Sequence, residues 1–339
     1  MRLTVLDLTR LLPGGYATHL LREMGARVIK VEDPGPGDYL RTFPSPLADG
    51  MSVYFHAINR GKESIIVDLK SSPETLLRLS EHADVIIEGF RPGVMERLGV
   101  GYGSVSERNP RIVYCSLTGY GAQGDYRDRP GHDINYLSLT GLIDLARGQD
   151  GRPAMPALQI ADVASGSLFA VTRILSAVIE QHETGLGQHV SVSMLDGTAS
   201  MMSFTAAPAA IGGQSTSWAD LMLNGQVACY NLYPTADDRW ISVGNLEEKF
   251  WTTFSRVLDH PEWIPRQFDR SPEFRQEISS VFLTRPLAHW IEVFAGRDTC
   301  VEPVRTLAEA VAKGLFKYPD SSAPAHGEHT DRILSEFLS

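Results

Sequence analysis

Four cations stand at loop-like positions beside strand ends in the first hundred residues of this 339-residue chain: Arg41, Arg60, Lys62 and Arg91. Open α/β sheets bind ligands outside the carboxyl ends of their strands, and four cations there could hold a phosphorylated ligand. Composition alone reads them equally as scattered, solvated side chains. The chain as a whole carries a formal net charge of -10, which argues against nucleic-acid binding, since polyanions are held by clustered Lys and Arg. An anionic ligand must therefore be held locally. Glu32 ends a strand where a ribose-binding carboxylate could sit, but the preceding turn, Leu12-Pro13-Gly14-Gly15-Tyr16, is not GxGxxG, so a dinucleotide cofactor is not indicated. Cys115, Cys229 and Cys300 are widely spaced and odd in number. They read as reduced, mostly buried thiols, and no metal site is expected. His132 by itself would be an ordinary surface or core histidine, and Asp162, ahead of an Ala-rich run, would be a helix N-cap.

The elements that must position these residues alternate. Leu3 to Leu8 reads as a strand, Gly14 and Gly15 as part of a loop, Tyr16 to Met24 as a helix and Ala26 to Val31 as a strand, which is a βαβ unit. Ser64 to Leu69, Asp84 to Glu88 and Arg111 to Leu117 follow as strands, with Pro73 to His82 as a helix. Short apolar runs between helices are the mark of a buried parallel sheet, so the fold class is α/β, with a large doubly wound, Rossmann-like domain. Asn135 to Arg147 and the long Ala-rich Asp162 to Thr184 read as helices, and His189 to Ser193 as a strand. Pro208 to Ser217 has linker composition. A smaller α+β domain follows, with a hairpin between Cys229 and Gly244 and helices at Phe250 to Leu258, Ser271 to Thr284 and Pro286 to Ala295. A short amphipathic helix, Thr330 to Leu338, ends the sequence. The amino terminus lacks a signal-peptide pattern and no 18-residue apolar stretch is evident, so no membrane partner and a cytoplasmic location are expected.

Five segments in order carry a resemblance. They are Glu32-Asp-Pro-Gly-Pro-Gly-Asp38 through Arg41, Asn59-Arg-Gly-Lys62 through Lys70, Asp84-Val-Ile-Ile-Glu-Gly-Phe-Arg-Pro-Gly93, Ser116-Leu-Thr-Gly-Tyr-Gly121 and Gly327-Glu-His-Thr-Asp331. In sequence and spacing the chain resembles the class III CoA-transferase and α-methylacyl-CoA racemase family. The resemblance implies that Arg41, Arg60, Lys62 and Arg91, with Gly119 and Tyr120, lie along a site for coenzyme A, which enters as the substrate's thioester rather than as a resident cofactor. It implies an interlocked homodimer with active sites between domains of different subunits. It also implies a large domain over 1–200 completed by 318–339, a linker at 201–220, a small domain at 221–300 and a return linker at 301–317.

The family holds two chemistries, so the site residues must decide between them. Gly131-His132-Asp133-Ile-Asn-Tyr136 resembles the racemase motif with a catalytic His. Asp162 matches both the racemase acid/base and the transferase nucleophile. Val243-Gly-Asn-Leu-Glu247 lacks the glycine-rich loop of formyl-CoA transferase-type enzymes and resembles the racemase segment whose Glu supports the His, with the register open between Glu247 and Glu248. The implied reaction removes the proton α to a thioester carbonyl and returns one to the opposite face, with His132 and Asp162 as the two bases. A helix starting near Asp133 would aim its N–H groups at the developing enolate. Met194, Met201, Met202 and Phe204 are candidates for an apolar acyl pocket. The alternative is a transferase passing CoA between carboxylic acids through an acyl intermediate on Asp162. Gly124-Asp125 in place of a Gly-Pro, and a short stretch from Ala308 to Lys317, depart from the family pattern.

Overall fold

Strands buried on both faces need no polar alternation, and the apolar runs of the first half pack in that way. A computed structural model describes residues 3–47, 50–148, 151–318 and 322–338; the remaining residues of the expected 1–200 and 318–339 segments lie outside the described ones. Six strands, β1 (Thr4–Leu8), β2 (Arg27–Glu32), β3 (Glu63–Ile66), β4 (Val85–Glu88), β5 (Val113–Thr118) and β6 (His189–Ser193), form a parallel sheet in the order β3-β2-β1-β4-β5-β6. This is the doubly wound order, whose direction reverses between β1 and β4. One face buries Val5, Val85 and Val113 beneath α1 (Leu11–Glu23) and the helix Phe169–Thr184. The other buries Leu6, Ile29 and Ile86 beneath α2 (Pro73–Ser80), α3 (Tyr102–Arg108) and the carboxyl-terminal helix Thr330–Leu338.

Three local readings change. Helix α1 begins at Leu11, so Gly14 and Gly15 lie inside it. Pro13 is tolerated because the first-turn N–H groups need no helical partner, and a Cβ on Gly14 would lie 2.2 Å from the Thr9 side chain, so the glycine serves close approach. Asp162 is not an N-cap: Ala161–Leu168 form a π-helical segment that runs into the α-helix. The helix Ala161–Thr184 contains an 18-residue window of mean hydropathy 1.4, long and apolar enough to cross a membrane by length and composition, contrary to the expectation of no such stretch. Their buried side, including Ala170, Ile174 and Val178, belongs to the sheet core.

Contacts divide the chain into Met1–Asp144 with Gly148–Phe204 and Tyr318–Ser339, and Leu145–Arg147 with Thr205–Lys317. In the second unit β7 (Tyr230–Pro234), β8 (Trp240–Gly244) and β9 (Val301–Pro303) form an antiparallel sheet over an aromatic core of Trp251, Trp263 and Phe282. The expected linkers are therefore structured. Residues 201–220 contain the helix Ser203–Ala210, and 301–317 contain β9 and the helix Leu307–Ala312. A three-residue strand ending in proline has too little periodicity to be seen in sequence.

Beneath the β1–α1 turn lie four charged side chains with no solvent exposure, Asp7, Lys30, Asp38 and Lys62. Lys62 Nζ is 3.1 Å from Asp7 and donates to the Thr18 hydroxyl, the Gly15 carbonyl and Asn59 Oδ1. Burial pulls its ammonium down, and despite Asp7 it settles at about 8. Two other expected CoA ligands are likewise committed inside the subunit. Arg41 makes a two-pronged pair with Glu32 (2.6 and 2.8 Å) above the Phe55 ring. Arg60 is buried against His19, 3.1 Å away. Strand-end position did not place these cations: Arg41 lies in the short helix Tyr39–Thr42, Arg60 caps the helix Val53–Asn59 and Lys62 stands at the amino end of β3, and their side chains turn inward to satisfy buried carboxylates and a histidine.

Removing one member of a buried ion pair strands the other. Lys62→Met is therefore expected to lower unfolding stability by about 3–5 kcal/mol, with part of the loss recovered in the double variant carrying Asp7→Asn. Arg91→Ala should stay within about 0.5 kcal/mol of the parent. Urea midpoints check this, and an unchanged midpoint for Lys62→Met would refute the buried-network role.

Candidate active site

The chain leaves β1 through Thr9 and Arg10 and enters α1 at Leu11, whose φ of 63° is left-handed. That conformation costs a β-carbon-bearing residue of order 1–3 kcal/mol, and it is held by the Leu11 N–H donating to Asp38 Oδ1 at 3.0 Å. Asp38 in turn lies 2.8 Å from Lys30. The buried charges thus set where the first turn of α1 meets the carboxyl ends of the strands.

A cavity of about 540 Å³ opens there, at the reversal between β1 and β4 where such sheets bind ligands. Its wall includes Arg10 and Pro13 after β1, Arg91 after β4, Gly119 and Tyr120 after β5, and His132, Tyr136 and Asp162. Of the expected site residues the structure brings together His132, Asp162, Arg91, Gly119 and Tyr120. Of the candidate acyl-pocket residues Met194 lines this cavity; Met202 is buried and Met201 and Phe204 are exposed. Arg10, Arg127 and Arg129 also line it, and only their positions just after β1 and in the loop before His132 could have signalled this. A second cavity of about 500 Å³ lies beyond the ends of β2 and β3, with Asp33 and Lys70 in its wall; Arg10 and Phe90 line both.

Each candidate group is held by its own element. His132 occupies the N-cap position of α4 (Asp133–Leu139), with its backbone N–H donating to Asn135 Oδ1 at 3.0 Å and its side chain exposed. Tyr136 of the same helix packs edge-on against Tyr120, ring centroids 4.9 Å apart. A Cβ at Gly119 would come within 2.2 Å of the Tyr136 hydroxyl, so glycine is needed for that packing. Asp162 sits in the π-helical segment, a geometry frequent at functional sites. Its carbonyl accepts from the Ser167 hydroxyl at 3.1 Å, and that hydroxyl also donates to the Pro13 carbonyl at 2.6 Å. The Asp162 N–H donates to Asp133 Oδ1 at 3.0 Å. Burial pushes the Asp162 carboxyl up and the nearby Asp133 carboxylate adds to the effect, bringing it to about 7.

A carboxyl that titrates near neutrality, in one cavity with a histidine and several arginines, can accept and return a proton. Glu247 stands at the N-cap of α5 (Glu248–Val257) in the second unit, and Glu248 opens that helix; both are exposed. Among the described residues one set of potential metal ligands, His260, Glu262 and Glu277, lies in the same unit. Glu277 there already accepts from Trp263 and Arg266, at 2.7 and 3.1 Å.

Comparison with known proteins places this geometry. The α-methylacyl-CoA racemase of Homo sapiens is 32% identical over 99% of this chain and 92% of its own. The succinyl-CoA:glutarate CoA-transferase of Homo sapiens is 31% identical over 98% and 85%. The crystal structure of a CAIB/BAIF family protein from Brucella suis superimposes with a TM-score of 0.84 at 27% identity, covering 99% of this chain and 98% of that one. The model of CoA-transferase family III matches residues 2–332, and with the doubly wound sheet and the cavity at its switch point the chain belongs to that family of enzymes.

Proposed function

We propose that the cavity binds a 2-methylacyl-coenzyme A thioester and that the enzyme racemises it by 1,1-proton transfer through an enolate. The observation that carries this reading is Asp162, held in one cavity with His132 and brought by burial and Asp133 to a proton affinity near neutrality. A general base works best when its pKa lies near the working pH. A carboxylate nucleophile has no need of that shift, because it attacks as the anion and never carries the proton, whereas a racemase group must both take and return one. His132 takes the proton from one enantiomer and Asp162 from the other. By helix geometry the N–H groups of Asp133 and Ile134 have no partner within α4, and they are the donors available to the thioester oxygen as charge develops there. Arg91, with Arg127 and Arg129, faces the phosphates, and Gly119 and Tyr120 form the adjoining wall. Coenzyme A enters as substrate and no resident cofactor takes part. The family resemblance assigns Glu247, or Glu248 beside it, to the support of His132.

The enzyme works as an interlocked homodimer in the cytoplasm on this reading. Large apolar side chains with no cover in the subunit, Phe204 (83% exposed) and Ile211 (88%), support the dimer. The free thiols Cys115, Cys229 and Cys300 support a reducing compartment. The second reading, CoA transfer through an acyl-Asp162 intermediate, is supported by the transferase among the relatives.

Two experiments test the reaction. In deuterated water with no acceptor acid, the enzyme should place deuterium at the α carbon of a 2-methylacyl-CoA. His132→Ala and Asp162→Ala should each lose racemisation by at least about 10²-fold while retaining exchange with opposite enantiomers. The same residual preference in both variants would refute the two-base assignment, and CoA transfer to an added carboxylate without exchange would establish the transferase.

The pH profile supplies the other. Asp162 must be ionised to act as base while His132 carries the proton that is returned, so the acidic limb of kcat/KM for its enantiomer should rise with pH with its midpoint at about 7. Asp133→Asn removes a charge that raises the Asp162 pKa while keeping an acceptor for its N–H, so this limb should move to lower pH. A limb that stays in place would show that Asp133 does not tune Asp162.

A further inference from the structure

We propose that Arg10 is a ligand-binding residue that exchanges partners: its guanidinium leaves Asp33 to hold the diphosphate of a bound coenzyme A thioester running between the two cavities. The proposal rests on the acyl-CoA reading of the site. Three observations support it. Arg10 lines both cavities, so a ligand long enough to occupy both must pass its side chain. The guanidinium already sits in a cradle built for a planar cation, with the Tyr39 ring 5.1 Å and the Phe90 ring 5.8 Å from its centre and the Tyr39 hydroxyl accepting from Nη1 at 3.0 Å. Its backbone is fixed, because Arg10 is the N-cap of α1 and the next residue, Leu11, is the left-handed one pinned by Asp38. Backbone strain of this kind persists where surrounding structure over-determines it, and it concentrates at ligand sites.

The present partner is replaceable. Nη2 of Arg10 pairs with Asp33 Oδ2 with 29% and 33% of the two side chains exposed, and pairs this accessible contribute little. A diphosphate offers several anionic oxygens to the same planar fork, and bidentate charge-assisted bonds are the stronger kind. Asp33 would then be a competitor that keeps the cation oriented in the empty enzyme. That role differs from a structural one in sign, since removing a competitor should improve binding, whereas removing a structural partner should weaken it.

Calorimetric titration of the full-length protein with coenzyme A and with pantetheine, which lacks the nucleotide and its phosphates, decides the matter. Arg10→Gln should weaken coenzyme A binding by at least about tenfold and leave pantetheine unchanged. Arg10→Lys should recover part of the loss, and Asp33→Asn should tighten coenzyme A a few-fold. Equal losses for coenzyme A and pantetheine in Arg10→Gln, or weaker coenzyme A binding in Asp33→Asn, would overturn the exchange and make the pair structural. Unchanged coenzyme A binding in Arg10→Gln would overturn the assignment alone. A parent protein that binds no coenzyme A would overturn the acyl-CoA reading and the assignment with it.

Discussion

Asp7 and the two ammonium groups that face it are the interaction on which the site depends. Burial alone would push the Asp7 carboxyl up, but Lys30, Lys62 and the hydroxyls of Thr18 and Thr9 outweigh it and hold the group well below the usual carboxylate range. Ions removed from water cost several kcal/mol each unless paired and hydrogen-bonded, so this cluster tolerates one arrangement. From it a chain of contacts leads outward. Lys30 Nζ donates to the Thr9 carbonyl at 2.9 Å and pairs with Asp38. Asp38 holds the Leu11 N–H, and Pro13 two residues on accepts the Ser167 hydroxyl that also bonds the Asp162 carbonyl. Lys30 approaches Asp7 at 3.9 Å, and the links beyond it are ion pairs and hydrogen bonds of 2.6 to 3.1 Å. The position of Asp162 is therefore tied to buried charges that do not line the cavity.

Asp7 and Asp162 are the same residue type with opposite proton affinities, and the contrast shows how the fold divides stability from function. Asp7 has a lowered value, so its contribution to stability is present above its unfolded value and is lost only as pH falls through the folded one. Asp162 has a raised value. Its ionisation therefore costs stability as pH rises from the ordinary aspartate range through about 7, which includes the pH at which the enzyme must work. A group of that kind persists only where surrounding structure compensates for it. The π-helical turn, the Asp133 acceptor and the Ser167 bridge supply that support locally.

Much of this was legible in the sequence, and the limits follow from what sequence cannot encode directly. Apolar runs such as Val85-Ile-Ile located the strands of the large sheet, because burial on both faces leaves a strong composition signal, although β3 ends at Ile66 rather than at the expected Leu69. His132, Asp162 and Arg91 were found through ordered motifs, and they line one cavity. Arg41, Arg60 and Lys62 do not stand at the carboxyl ends of strands, and side-chain direction depends on which buried acceptors are near; Glu32, His19 and Asp7 are distant in sequence or ambiguous in role. Arg10 was overlooked for the converse reason: a single arginine after a strand has no pattern. The π-helical turn at Asp162 is invisible to a 3.6-residue period, and Gly14 reads as a loop residue until Thr9 is seen packed against its α-carbon.

The two chemistries on this scaffold make opposite demands on one carboxylate. A nucleophilic Asp must be ionised and exposed to a carbonyl carbon, and cations near it would serve both ends. A base must hold its proton weakly enough to release it and strongly enough to take it from a carbon acid, which calls for burial and a neighbouring negative charge. Around Asp162 the arginines of the cavity lie among its lining residues, while the charge that acts on its carboxyl is that of Asp133. The same burial that raises Asp162 also favours the neutral thioester over a free carboxylate acceptor as its neighbour, since a second anion there would add to the repulsion already present. On these grounds the local electrostatics support proton transfer, and the cations are left for the phosphates of the substrate.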